Sequence, residues 1–297
     1  MLALTMLPAV AAGAPTIAEV SSGLSADSQP TGIAAGPDGN LWFTQQANPG
    51  RIGRITPAGV VTEFSSGLSA NSKPTGIAAG PDGNLWFTQQ GNSGAIGRIT
   101  PAGVITEFTA GLSANAKPTE ITAGPDGNLW FTEQGNSGAI GRITPAGVIT
   151  EFTDGLSVDS EPTGIAAGPD GNLWFTQQAS PGRVGRITPA GEITEFTDGL
   201  SVDSEPTGIA AGPDGNLWFT EQANPGRIGR ISFDSSSTPG GTDPSSATPR
   251  RSRRPAPSPP SAGRSQPLRS PGSSASRLPG RVATSVSTAR RRSPPAR

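Results

Sequence analysis

Two glutamates carry the most specific chemistry that this 297-residue sequence offers. The sequence contains five nearly identical repeats of 44 residues, and only the third has a carboxylate at both of two variable positions, Glu120 and Glu133. If Asp126-Gly127 forms a two-residue hairpin turn, these glutamates face each other on neighbouring strands. Facing carboxylates repel each other unless a cation or a shared proton joins them. They are therefore candidates for a Mg²⁺ or Ca²⁺ site or a general base, and the alternative is sequence drift at a wet channel edge.

The composition excludes several classes of catalytic site. The chain has no His, Cys or Tyr, so it has no imidazole base, Ser-His-Asp triad, thiolate nucleophile or zinc site built on these residues. Disulfides are excluded for the same reason. Any catalysis must therefore depend on carboxylates, Lys, Arg or hydroxyl groups.

Two further residue types recur in every repeat as candidate binding groups. The tryptophan of each Leu-Trp-Phe-Thr run could stack on a sugar or a peptide, although its apolar neighbours favour a place in the core. One arginine of each repeat could bind anions at a rim, or it could pair with an acid such as Glu63. The tryptophans are Trp42, Trp86, Trp130, Trp174 and Trp218, and the arginines are Arg54, Arg98, Arg142, Arg186 and Arg230.

Each repeat contains four short apolar runs separated by turn residues. In the first repeat these runs are Thr31–Ala35, Asn40–Gln45, Arg51–Thr56 and Val60–Ser65. Gly or Pro interrupts the chain so often that no window shows the spacing of an amphipathic helix. Four strands in a period of about 40 to 45 residues are typical of a propeller blade. We therefore predict an all-β fold, a β-propeller of five four-stranded blades over residues 16–232.

The phase of the repeats predicts how the ring closes. Thr16–Val20 resembles a fourth strand but precedes the first full repeat, whereas the last repeat stops after its third strand, Ile228–Ser232. We expect these two segments to complete one blade together, and we expect the closed propeller to be a monomer. The alternative is that the five blades are a fragment of a longer or oligomerising propeller.

The two terminal segments differ from the repeats in composition. Residues 1–15 are small and apolar and resemble a truncated secretory signal, which predicts secretion; an apolar first strand in a cytoplasmic protein is the alternative. Residues 233–297 are rich in Ser, Pro and Arg and carry a net charge of +10, against −11 for residues 1–232. We expect this tail to be disordered and to bind anionic surfaces, unless it is the product of a shifted reading frame. Without interleaved aromatic residues it should not bind nucleic acid sequence-specifically, and no stretch of the chain is long and apolar enough for a transmembrane helix.

The runs Gly124–Gln134 (GPDGNLWFTEQ) and Ile140–Phe152 (IGRITPAGVITEF) resemble the repeats of the virginiamycin B lyase (streptogramin lyase) family. The resemblance implies a β-propeller, usually of seven blades. It also implies a Mg²⁺-dependent lyase that linearises streptogramin B depsipeptides by elimination at the lactone ester. The family's enzymes use a catalytic histidine with nearby carboxylate and tyrosine groups, and this sequence has neither His nor Tyr. No catalytic residue can therefore be carried over.

Three functions follow from these observations. The near-identity of the repeats favours a non-catalytic binding or scaffold protein that holds a glycan, a peptide or cell-wall material at several equivalent sites and needs no cofactor. The second function is a Mg²⁺-dependent streptogramin B lyase that uses Glu120 and Glu133. The third is the structural fragment of a longer propeller.

Overall fold

The structure is a computed structural model, and it describes residues 16–233. Within this range every regular element is a β-strand, and the strands form five antiparallel sheets. None of the described residues belongs to a helix that could cross a membrane. The predicted leader, residues 1–15, and nearly all of the predicted tail lie outside the described residues.

Each sheet corresponds to one repeat, and we call the sheets blades 1 to 5. The strands of each blade pair in chain order. Blade 1 contains β1 (Pro30–Ala35), β2 (Leu41–Gln45), β3 (Arg51–Ile55) and β4 (Val61–Phe64). Blade 2 contains β5 (Pro74–Ala79), β6 (Leu85–Gln89), β7 (Ala95–Ile99) and β8 (Ile105–Phe108). Blade 3 contains β9 (Pro118–Ala123), β10 (Leu129–Glu133), β11 (Ala139–Ile143) and β12 (Ile149–Phe152). Blade 4 contains β13 (Pro162–Ala167), β14 (Leu173–Gln177), β15 (Arg183–Ile187) and β16 (Ile193–Phe196). Blade 5 contains β17 (Pro206–Ala211), β18 (Leu217–Glu221) and β19 (Arg227–Ile231).

The predicted all-β fold of five repeated blades is confirmed, but the predicted closure of the ring is wrong. Blade 5 has three strands, and Thr16–Val20 forms no strand. Because Ile33 of blade 1 is 65% exposed and Trp218 of blade 5 is 38% exposed, the outer faces of the two end blades do not cover each other. Of this segment, Val20 lies beside blade 1, where a Cβ built on Gly59 would lie 3.8 Å from Val20 Cγ2.

The hydrophobic core lies between neighbouring blades. In the first interface, Trp42 and Ile52 of blade 1 pack against Leu85 and Phe87 of blade 2, and all four are fully buried. Equivalent clusters join the next three pairs of blades. Burying each such side chain stabilises the fold by about 1.5–3 kcal/mol. The sheets are therefore held together mainly by residues that each repeat supplies at the same positions.

A glycine in the third strand makes room for this core. A Cβ built on Gly97 would overlap the ring of Phe87, which is itself fully buried. The equivalent positions meet the same phenylalanine in every other blade; these glycines are Gly53, Gly141, Gly185 and Gly229. The Gly in each Ile-Gly-Arg or Val-Gly-Arg run is thus required by packing against the second strand.

We predict that Gly97→Ala destabilises the protein by about 3 kcal/mol, because the added methyl group forces the buried Phe87 ring to move. The matched control is Gly83→Ala, at a turn where no atom lies within 4 Å of the added Cβ but φ is +76°. The control should lose only about 1 kcal/mol from its left-handed backbone. Urea denaturation measures both changes, and an equal loss in the two variants would contradict the packing explanation.

Candidate functional site

The turn between the first two strands of blade 3 decides the positions of the two candidate glutamates. Gly124 N–H donates to the carbonyl of Asn128 at 2.8 Å, and Gly127 has φ +76°. Three residues, rather than the predicted two, therefore lie between the paired residues of the turn. The register of the hairpin shifts by one residue, and a further bulge places Glu133 opposite Pro118. The prediction that Glu120 and Glu133 face each other is wrong.

Glu133 takes the place of a glutamine that binds the fourth strand in other blades. In blade 1, Gln45 Nε2 donates to Glu63 Oε1 at 2.7 Å. Gln89 and Gln177 make the same bond to Glu107 and Glu195, at 2.8 and 2.7 Å. A glutamine amide on the second strand therefore donates to a glutamate carboxyl group on the fourth strand in each of these three blades.

In blade 3 the same position brings two carboxyl groups together. The Glu133 side chain lies beside Glu151 on β12, and Glu133 is only 2% exposed. Glu133 Oε1 has no hydrogen-bond partner in the described residues. Burial and the neighbouring Glu151 carboxylate raise the pKa of Glu133 to about 9. Glu133 therefore keeps its proton at neutral pH and can donate it to Glu151 in a shared hydrogen bond.

Glu151 itself is fixed by the loop that leads into its blade. Ser113 N–H donates to Glu151 Oε1 at 2.6 Å, and the Ser113 hydroxyl donates to the second carboxylate oxygen. Ser25, Ser69 and Ser157 hold the equivalent glutamates in the same way. Both carboxyl oxygens of Glu151 therefore already accept hydrogen bonds from Ser113, while Glu133 is the group whose pKa is raised.

Glu120 lies apart from this pair, on the first strand of blade 3. The other blades have glycine here, and a Cβ built on Gly32 would lie only 2.5 Å from the carbonyl oxygen of Thr75. The Glu120 side chain is exposed to a groove of about 370 Å³, lined also by Thr163, Gly164, Thr207 and Gly208. The surrounding protein removes part of the water around its carboxyl group and raises the pKa of Glu120 above its ordinary value.

The hydrogen bonds beside Glu120 also differ from those in blade 1. In blade 1, the hydroxyls of Thr31 and Thr44 bond to each other at 3.0 Å. In blade 3, the Thr119 hydroxyl donates instead to the carbonyl of Lys117 at 3.2 Å. The first strand of blade 3 therefore differs from its copies both in charge and in local bonding.

The described residues do not form a binding site for the Mg²⁺ that the resemblance implies. Among residues 16–233, no group of three or more acidic side chains could hold a metal ion. Glu120 and Glu133 do not pair, and Glu133 is protonated. The turn aspartates are also engaged, since Asp126 accepts bonds from Asn128 and from the indole N–H of Trp130.

The repeated tryptophans lie mainly in the core. Trp42, Trp86 and Trp130 are fully buried and Trp174 is 7% exposed. Trp218 is 38% exposed, because none of the described residues forms a blade after blade 5. Four of the five candidate stacking platforms are therefore inaccessible to a ligand.

The repeated arginines stack on these tryptophans instead of lining an open rim. The guanidinium carbon of Arg142 lies 5.5 Å from the centroid of Trp130 and 5.4 Å from that of Phe152. Its terminal nitrogen donates to the carbonyl of Pro189 in the next blade at 3.1 Å. Arg54 and Arg98 make the equivalent bonds to the next blade, and Arg186 and Arg230 stack on their own tryptophans.

The partner of Glu63 is a different arginine from the one that the sequence indicated. Arg51 lies 3.7 Å from Glu63, and Arg183 lies 3.5 Å from the equivalent Glu195. Arg54, three residues after Arg51 and the fourth residue of β3, stacks on Trp42 and Phe64 in the way described for Arg142. The two arginines of each pair therefore have separate roles.

Sequence reasoning missed Glu151 as the partner of Glu133. A signal was available, because a Gln or Glu and a second Glu recur 18 residues apart in the first four repeats. The two side chains belong to strands separated by a third strand, so counting partners on adjacent strands could not find them.

We predict that Glu133→Gln removes a pH-dependent loss of stability. Because folding raises the pKa of Glu133 from 4.5 to about 9, its contribution to stability is complete below pH 4.5 and is lost as pH rises toward 9. At pH 8 the variant should be more stable than the wild type by about 1 kcal/mol or more. Urea denaturation between pH 5 and pH 9 measures this difference.

The matched control is Gln89→Glu in blade 2. Blades 2 and 3 both have alanine, Ala95 and Ala139, at the position where the other blades have an arginine, so neither blade has that arginine beside the introduced or native glutamate. This variant should acquire the same loss of stability with rising pH. Parallel pH profiles for the wild type and Glu133→Gln would refute the proposed shared proton.

Comparison with known proteins identifies relatives of the chain. The sequence profile of the virginiamycin B lyase family matches residues 13–235. Among solved structures, a streptogramin B lyase is 38% identical over 71% of this chain and 67% of its own, with a TM-score of 0.63. Virginiamycin B lyase from Staphylococcus aureus is 38% identical over 70% of this chain and 71% of its own, with a TM-score of 0.61.

A catalytically inactive form of the Staphylococcus aureus enzyme, with one histidine replaced by alanine and with quinupristin present, is 37% identical. It covers 72% of this chain and 73% of its own, with a TM-score of 0.61. No curated protein matches the sequence. The match of the family profile to most of the chain, together with the five blades, shows that this chain belongs to the virginiamycin B lyase family.

Proposed function

We propose that this chain is a non-catalytic binding propeller of the virginiamycin B lyase family, with its ligand site in the groove beside Glu120. The observation that carries this proposal is the position of Glu120. It replaces the glycine of every other repeat, and its carboxyl group lies in a groove of about 370 Å³. Packing in the core does not explain why glutamate stands at this position, because the Glu120 side chain is exposed.

Two observations support the absence of catalysis. The related Staphylococcus aureus enzyme is inactive when one histidine is replaced, and this sequence has no histidine. The acidic residues between 16 and 233 also fail to form a group that could hold a metal ion. Neither the base nor the metal expected for the lyase reaction therefore has a counterpart among these residues.

The chemistry of the groove indicates the kind of ligand. Gly208 is exposed and Ile209 adds half-buried apolar surface, whereas Gly164 and Ile165 are buried at the edge of the groove. The hydroxyls of Thr163 and Thr207, which bond to Thr176 and Thr220, can each accept one more hydrogen bond. A carboxyl group among these residues can accept hydrogen bonds from the amines or hydroxyls of a ligand. Peptides, glycans and cell-wall material carry such groups. We also propose that the protein is secreted, since residues 1–15 resemble a truncated export signal.

The alternative function is a streptogramin B lyase, which the 38% identity to a streptogramin B lyase favours. We predict that the purified protein with Mg²⁺ leaves quinupristin intact. Because elimination at the lactone gives a linear isomer of the same mass, chromatography with fragment-ion mass spectrometry is the measurement needed. Appearance of the linear isomer in proportion to protein concentration would establish the lyase and end the non-catalytic proposal.

We predict that Glu120→Gly weakens ligand binding about tenfold or more, because the ligand loses its hydrogen bond to the Glu120 carboxyl group. Ligands are first identified on peptide and glycan arrays, and affinities are then measured by calorimetry. The matched control is Thr122→Ala, on the same strand, which also restores the residue found in the other repeats. Equal binding by wild type and Glu120→Gly, or no array signal above background, would contradict the proposed site.

A further inference from the structure

The outer edge of blade 5 is a second candidate binding surface, independent of the groove beside Glu120. Within the described residues, β19 has no strand on its outer side. A groove of about 450 Å³ lies here between blades 4 and 5, and its lining includes Gly199, Ser201, Glu221 and Arg227. In blades 1 to 4 the equivalent space is filled by the fourth strand.

The apolar residue that begins each fourth strand packs against a loop glycine. A Cβ built on Gly111 would lie 3.1 Å from Ile149 Cβ, and Gly155 meets Ile193 in the same way. Gly199 is the equivalent glycine for blade 5, and none of the described residues lies within 4 Å of its Cβ position. Blade 5 therefore has a place for an apolar side chain that no described residue occupies.

The aromatic residue that ends each fourth strand stacks on the tryptophan of its blade. Trp130 and Phe152 have ring centroids 5.5 Å apart, with the rings nearly parallel. In blade 5, Trp218 keeps its arginine, with Arg230 at 5.5 Å, but no described phenylalanine stacks on it. The exposed Trp218 face is therefore a ready stacking surface for an incoming aromatic residue.

Between these two positions, blade 5 reverses the polarity of the hydrogen bond seen in blade 1. There Gln45 donates to Glu63 on the fourth strand. In blade 5 the second strand carries an acid, Glu221, which lies 3.6 Å from Arg227. Glu221 Oε2 is buried and accepts no hydrogen bond from the described residues. The residue that faces Glu221 must therefore be a donor.

A glutamine on the incoming strand meets both requirements of this position. Its amide can donate to Glu221, and its carbonyl oxygen can accept from Ser201, as the fourth-strand glutamates accept from Ser113 and its equivalents. A glutamate would place a second carboxylate beside Glu221. With glutamine at this position, blade 5 has one acidic side chain, Glu221, beside one arginine, Arg227. Blade 1 has the same pairing of one acid with one arginine, Glu63 with Arg51.

We infer that the edge of blade 5 binds an extended segment of a partner protein as its fourth strand, with the pattern apolar–x–Gln–aromatic. This is strand addition to an open sheet edge, in which the backbone supplies affinity and alternate side chains supply specificity. By the pairing in blade 3, Ile231 would face the apolar residue and Ile228 the aromatic residue. Thr16–Val20 fits less well, because it carries Glu19 at the glutamine position and its last residue, Val20, lies beside blade 1.

The test compares two peptides with two proteins by calorimetry at pH 7. One peptide has the sequence of residues 148–154, VITEFTD, and the other is VITQFTD; a scrambled VITQFTD is the control. Wild-type protein should bind VITQFTD about tenfold more tightly than VITEFTD, because a close charge repulsion is removed. Glu221→Gln, which gives blade 5 the residue of blades 1, 2 and 4, should reverse this preference.

Three results would overturn the inference. They are no binding of either peptide above the scrambled control, the same order of preference in both proteins, or occupation of the edge by the chain's own segment Thr16–Val20. The last is tested with the full chain carrying Ala18→Cys and Arg230→Cys, positions equivalent to the facing residues Thr62 and Arg54 in blade 1. The inference expects no disulfide in this variant, whereas a disulfide within or between chains would show that Thr16–Val20 fills the edge.

Discussion

No blade of this protein can bury its own tryptophan, and the rest of the structure depends on that constraint. Each tryptophan becomes buried when the face of the next blade covers it, with Leu85 and Phe87 covering Trp42 in the first interface. The same ring also stacks with an arginine and a phenylalanine of its own blade. Its indole N–H donates to the turn aspartate four residues earlier, as Trp42 does to Asp38 at 3.0 Å. Turn, strand and interface are thus coupled through a single side chain.

This coupling separates the residues that build the fold from those free to bind ligands. Residues repeated in all five copies hold turns or join blades, so their recurrence reflects packing. Positions that differ between the copies are where a single blade can acquire its own chemistry. Glu120 and Glu133 are both of this kind, yet their surroundings differ: Glu120 is exposed to a groove, whereas Glu133 is buried beside Glu151. Only the first is accessible to a ligand.

The repeat spacing was sufficient to predict the blades and nearly all of their strands. The run Thr31–Ala35, for example, differs from β1 by one residue. The pairing of Glu120 with Glu133 failed for two reasons. Gly127 has a positive φ but Asp126 does not, which fits a three-residue turn rather than a two-residue type I′ turn. A bulge then shifts the register once more before Glu133. The contact between Glu133 and Glu151 was not predicted because it spans a whole strand. Closure of the ring failed because the angle between blades is set by interdigitating side chains, which the order of strands does not specify.

The equivalence of the four interfaces also bears on how such a protein changes length. Each blade presents the same apolar set to its neighbour, so a blade inserted or removed between two others meets surfaces that already fit it. The 44-residue repeat is therefore a unit of recombination as well as a unit of folding, and unequal crossing-over between copies keeps both the reading frame and the packing. Because Glu120 and Glu133 belong to the same repeat, one such event can duplicate or delete them together. A single recombination event can therefore change both the number of blades and the number of copies of Glu120 and Glu133.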